Sequence, residues 1–145
     1  MTVTANMQQK YPTVKLKTPP GFVNDKTKDG WKLIENVELV GEPTITLAKF
    51  LQPGENSVGG ETMLERAKAL GNCAGQLHAE RLLVQQADVP EEYRQYYLIF
   101  PGTVWQDSDS NRRVPYLRWD DDRWYLRFWL DHDHWSARDR LVCLC

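Results

Sequence analysis

No apolar run in this chain approaches 18 residues, which excludes a helical membrane span. The opening MTVTANMQQKYPTVKLK has no hydrophobic core of the kind a secretory signal needs. Cysteine is scarce: Cys73, Cys143 and Cys145, an odd number, make no disulfide framework. They read as reduced thiols in a cytoplasmic setting. Cys143 and Cys145 fall two apart on an expected strand, where Cα atoms about 6.6 Å apart are near the limit for a bridge. Histidine is limited to three residues, and lysine stops at Lys68; from Arg81 onward every cation is arginine. No Gly-x-Ser-x-Gly elbow, internal repeat or low-complexity tract is present. The Gly54–Gly59 loop has Gly60 and Glu61 where a phosphate-binding loop needs Lys and Ser or Thr, which argues against nucleotide hydrolysis by that route.

What is present suits one globular domain of 145 residues, 41% hydrophobic and 26% charged. A chain this long buries roughly 70% of its unfolded surface and needs no metal or disulfide to fold. The net charge of −2 argues against a nucleic-acid partner. Residues 1–30 carry five Lys against two Asp, a local +3, which leaves −5 for the remainder. They are polar and punctuated by Pro12, Pro19, Pro20, Gly21 and Gly30, and read as an extended N-terminal arm with an edge strand at 13–17. Such an arm needs a surface to lie on: its own domain, a second copy or another protein.

Residues 31–145 read as a single α+β domain. Segments 31–40 and 44–51 are predicted strands joined by the Gly41–Glu42–Pro43 turn. The spacing of Met63, Ala67, Leu70, Ala74 and Leu77 predicts one long helix over 62–86, started by a Thr62/Glu65 capping box. Gly71 and Gly75 interrupt it at roughly 1 kcal/mol each. They mark either a close approach of another element or a break at Gly71, with Asn72 capping a second helix. A short helix near Pro90–Arg94 and strands at 96–100, 103–106, 112–119, 123–131 and 138–144 follow. The expected fold is an antiparallel sheet of about five to seven strands with the long helix packed on one face.

The hairpin around Asp120–Arg123 can be read residue by residue. An even-length loop pairs Trp119 with Trp124, Leu117 with Leu126, and Pro115 with Phe128. One face then carries Pro115, Leu117, Trp119, Trp124, Leu126, Phe128 and Leu130 and should be core. The opposite face carries Val114, Tyr116, Arg118, Tyr125, Arg127, Trp129 and Asp131. Tyr, Trp and Arg dominate binding hot spots. Tyr116, Arg118, Tyr125, Arg127 and Trp129 are therefore the candidate binding residues, against the plainer reading of a solvated face with self-satisfied cation–π pairs.

Two motifs suggest metal chemistry instead. His78-Ala79-Glu80 resembles the His-x-Glu of zinc-dependent nucleobase deaminases, in which His binds zinc and Glu moves protons. The Pro-Cys-x-x-Cys that should accompany it is missing; Cys143 and Cys145 are one residue apart with no preceding Pro. Asp131-His132-Asp133-His134 looks like a metal cluster. Cys143 is expected to pair near Leu126, about 20 Å from His132, and so cannot join it. The favoured expectation is a soluble, non-enzymatic interaction protein with no cofactor. It would bind a protein partner or a second copy through the aromatic–arginine face and the arm. The alternatives are a metal-dependent hydrolase or deaminase-like enzyme using His78, Glu80 and the 131–134 turn, and a homo-oligomeric structural subunit.

Overall fold

The computed structural model describes residues 11–16, 22–130 and 134–145. In chain order they form β1 (Val14–Lys15), β2 (Lys32–Glu35), β3 (Thr44–Ala48), β4 (Ser57–Gly59), α1 (Gly60–Leu70), α2 (Gln76–Val84), β5 (Tyr97–Ile99), β6 (Val104–Gln106), β7 (Arg112–Asp120), β8 (Arg123–Leu130), β9 (His134–Ser136) and β10 (Asp139–Leu144). Short 3-10 turns cover Lys26–Asp29, Gln86–Asp88 and Glu91–Gln95. No helix among the described residues is long and apolar enough to cross a membrane.

Eight strands make one sheet in the order β1-β3-β10-β5-β7-β6-β2, with β8 on the other side of β7, while β4 and β9 pair separately. The sheet is mixed rather than antiparallel, because β10 runs parallel to β5, Leu98 beside Arg140. Segments 31–40 and 44–51 do not form the expected hairpin; β2 pairs with β6 and β3 with β10. Cys143 pairs with Thr46, not near Leu126. Strands β5 and β6 act as one long partner of β7, broken at Pro101–Thr103: Ile99 faces Tyr116, and Trp105 faces Arg113.

The expected long helix is two. Gly71 adopts φ +76°, the left-handed conformation that ends a helix, and its N–H reaches Ala67 O. The second helix starts at Gly75, whose N–H is accepted by His78 Nδ1 at 3.0 Å, so His78 and not Asn72 supplies the cap. The first starts at Gly60 with no side-chain cap, so the Thr62/Glu65 box is not used. Gly75 and Gly102 form the seam on which this junction rests. A Cβ at Gly102 would lie 2.8 Å from Ala74 O, and one at Gly75 would lie 2.5 Å from Thr103 Oγ1.

The helices cover opposite faces, because successive strand residues enter different cores. Leu98, Leu117, Trp124 and Val142 join Leu77, Ala79 and Leu82 of α2. Ile99, Tyr116, Leu141 and Cys143 join Met63 and Ala67 of α1, with Trp135 of β9. Burial of such side chains stabilises by about 1.5–3 kcal/mol each.

The N-terminal residues that are described belong to the first of these cores. Tyr11, Val14 and Leu16 are buried, and Val14 pairs with Ile45 at the sheet edge. Tyr93 OH donates to Pro12 O, and Arg140 Nε donates to Tyr11 OH at 3.0 Å. Further along, Glu80 accepts from the N–H groups of Val23 and Asn24 at 2.8 and 2.6 Å.

Candidate functional site

The β7–β8 hairpin has the register its alternation predicts. Trp119 pairs with Trp124, Leu117 with Leu126, Tyr116 with Arg127, and Arg118 with Tyr125. The connecting turn places Asp121 at φ 60°, a region Asp tolerates better than most residues. Leu117 and Trp124 are buried toward α2, with Trp119 and Leu126 packed beside them. Gln86 fixes the ribbon to the end of that helix: its Oε1 accepts from Trp124 N–H at 3.0 Å. Among the described residues β8 pairs with no strand but β7, and side chains occupy its outer edge: Gln86 bonds Trp124, Arg127 Nη1 donates to Leu126 O, and Arg113 Nη1 donates to Phe128 O.

The other face divides into a buried floor and an exposed rim. Tyr116 is only 6% exposed, and Val114 2%. Tyr116 stacks on Tyr97 at 5.6 Å and 17°, and lies 4.5 Å from Trp129, which in turn meets the fully buried Trp135 edge-on at 4.5 Å. Burial, then the neighbouring Tyr97, pushes the Tyr116 hydroxyl pKa up. Tyr116 is therefore a floor residue, and Trp129, half-buried, joins floor to rim.

The rim is arginine on tyrosine. The Arg138 and Arg118 guanidiniums lie 4.4 and 5.5 Å from the Tyr97 ring centre. Those of Arg123 and Arg127 lie 4.8 and 5.2 Å from the Tyr125 ring. Arg123, Arg127 and Arg138 are exposed; Arg118, Tyr125 and Tyr97 are half-buried. None of these four arginines forms an ion pair among the described residues, and Arg118 Nε is buried there without a hydrogen-bond partner. A stacked guanidinium leaves in-plane N–H groups for a carboxylate or phosphate, although here Arg127 Nη1 donates to Leu126 O at 3.0 Å and Arg123 is hydrogen-bonded to Tyr125. Of the five residues read from sequence, Arg118, Tyr125, Arg127 and Trp129 reach this surface, and Tyr116 lies beneath it. Tyr97, Arg123 and Arg138 are additional. The first becomes visible only once β5 is known to lie beside β7; Arg123 closes the turn, and its guanidinium folds back over Tyr125.

The residues of the metal reading are engaged elsewhere. His78 is fully buried, and burial depresses its pKa to about 4 while Nδ1 serves as a cap. Glu80 is also buried, and also accepts from Asn24 Nδ2 and Gln76 Nε2. Asp131, His132 and Asp133 lie outside the described residues; His134 is exposed on β9. Among the described residues no three His, Cys, Asp or Glu side chains are grouped to hold a metal ion. Two clefts are also present, the second bordering Arg138 through Ala137 and Asp139. One, of about 330 Å³, is lined by Glu35, Glu61, Glu65, Lys68, Cys73 and Arg112 among others. The other, of about 220 Å³, includes Lys49, Ser136 and the buried Asp139, whose pKa burial raises to about 6.

The fold and face together define an α+β domain carrying an arginine–tyrosine surface on one side of the β7–β8 hairpin. No protein-family model matches the chain, and no curated protein or solved structure is found to be similar to it.

Proposed function

We propose that this is a non-enzymatic interaction protein that docks an acidic protein segment on the Arg118–Tyr125–Arg127 surface, with Arg123 and Arg138 at its margins. The observation that carries the reading is four guanidiniums held on two tyrosine rings, none of them in an ion pair among the described residues. A buried aromatic floor with a charged, half-dry rim is the arrangement in which a few residues dominate binding. Residues 11–16 and 22–24 contribute little to this surface, since their contacts are within the domain. Trp129 packs on Trp135 and Tyr116, so its truncation would disturb the floor; the rim arginines are the cleaner positions to change.

The test is fluorescence anisotropy with a Glu/Asp-rich peptide carrying aromatic residues, alongside a single-stranded oligonucleotide of equal charge. The wild-type protein should bind the peptide more tightly. Arg118→Ala with Arg127→Ala should weaken it at least tenfold without moving the unfolding midpoint. Undiminished peptide binding by the double variant removes this face from the reading. A clear preference for the oligonucleotide transfers it to nucleic-acid chemistry. Self-association through the same face would appear as a dimer in sedimentation that the double variant abolishes.

A further inference from the structure

The sequence treats Cys73 as a helix residue and Cys143 as a distant strand residue. The fold places them opposite each other in an isolated antiparallel bridge. The flanking hydrogen bonds fix its type. Ala74 N–H donates to Val142 O at 2.9 Å, and Leu144 N–H donates to Asn72 O at 2.7 Å. Cys73 and Cys143 are thus the non-hydrogen-bonded pair between them. Cα atoms in such a pair are about 4.5 Å apart, with side chains on the same face and close together. That separation falls inside the range a disulfide spans.

The side chains meet. The Cys143 thiol is in hydrogen-bond contact with Cys73, and Cys73 Sγ donates in turn to Ala67 O at 3.5 Å. Both are buried among Met63, Ala67 and Leu141, but Cys73 also lines the 330 Å³ cleft beside α1. Cys145, two residues on, is exposed.

We propose that Cys73 and Cys143 are a redox-active dithiol site that hydrogen peroxide, admitted through the cleft, converts to an intramolecular disulfide. The Cys73 sulfur attacks a peroxide oxygen, the O–O bond breaks, and the departing oxygen leaves as water with the thiol proton. Cys73 is then a sulfenic acid. The Cys143 sulfur displaces its hydroxyl, the S–S bond forms, and the Cys143 proton leaves with that hydroxyl as a second water. Two thiols and one peroxide give one disulfide and two waters; sulfur is oxidised by two electrons and the peroxide reduced by two. Closure of the bridge by Cys143 is the step expected to limit the rate. The hydrogen bond to Cys73, followed by burial, raises the Cys143 thiol pKa strongly, and the thiolate is the reactive form. Its effect is mechanical: the α1–α2 junction becomes covalently tied to β10.

The experiment uses full-length Cys145→Ser protein, so that no exposed thiol confuses the result. After hydrogen peroxide treatment the chain is unfolded in an alkylating reagent. The expected outcome is loss of about two mass units with no alkylation, a peptide joining Cys73 to Cys143, and reversal by a phosphine. The oxidised form should melt about 5–10 °C higher, because the bridge closes a long loop. Full alkylation of both thiols, or oxygen adducts on either sulfur without a link, overturns the proposal. If the Cys145→Ser variant does not fold, the same peptide map is read on wild-type protein, where a link through Cys145 instead is equally fatal. In Cys143→Ser protein, peroxide should leave Cys73 as a sulfenic acid that dimedone captures; absence of capture contradicts the order of attack.

Discussion

The Glu80 carboxylate receives the backbone N–H of Asn24 at 2.6 Å across most of the first half of the chain. With Val23, Asn24 Nδ2 and Gln76 Nε2 it collects four donors, so a helix carboxylate anchors a segment that sequence reads as an arm. Charged hydrogen bonds of this kind contribute about 1.5–3 kcal/mol each before coupling. Glu80→Ala should therefore destabilise by about 3 kcal/mol or more and expose the backbone near Val23 to limited proteolysis. Unchanged cleavage at that point would mean that another contact holds the segment.

The hairpin's two faces predict opposite sensitivities. Leu117 is 1% exposed and should cost about 2–5 kcal/mol on truncation to Ala, whereas the exposed Arg127 should cost less than about 0.5 kcal/mol. Urea unfolding of the two variants measures this directly. Similar costs for both would contradict the observed register.

Gly102 faces the Ala74 backbone with no room for a methyl group. Gly102→Ala should cost about 1–3 kcal/mol, through displacement of the α1–α2 junction. Gly59→Ala meets nothing within 4 Å and lies outside the left-handed region, so it should be nearly neutral. Thermal melts of the pair separate crowding from any general intolerance of change.

Two buried groups set opposing pH dependences. Burial raises the Asp139 pKa from 3.8 to about 6. Between those values the folded protein keeps a proton that the unfolded chain has lost, so stability from this group falls as pH rises. Burial lowers the His78 pKa from 6.5 to about 4. Over that interval the unfolded chain binds the extra proton, and stability from this group rises with pH. Each slope is at most about 1.4 kcal/mol per pH unit. Asp139→Asn should steepen the rise in stability between pH 4 and 6.5, and His78→Gln should flatten or invert it. Urea midpoints across this range provide the measurement.

The hairpin was legible in sequence because its information is local: alternation from Pro115 to Phe128 around an acidic turn admits one register. The helix break was written in Gly71 and Gly75 but masked by Ala74 and Leu77, which continue the apolar spacing while belonging to the junction and the second helix. Sheet order was not legible. The parallel union of β5 with β10 and the separate β4–β9 pair join residues distant in the chain, and nothing at Leu98 or Arg140 names the other. The candidate face was half legible for the same reason. Alternation puts Arg118, Tyr125 and Arg127 on one face of the ribbon, as the structure does, but Tyr116 is buried in a core that includes Tyr97 of β5 and Trp135 of β9, which local pattern does not bring there.

Strand β10 lies between β3 and β5, in the middle of the sheet. A nascent chain must therefore expose both of its future neighbours, with edges unsatisfied, until residues 139–144 have left the ribosome. The two halves of the molecule are joined by a strand made after both of them, so closure waits on it, and the interval before it is when this chain most needs shelter from aggregation.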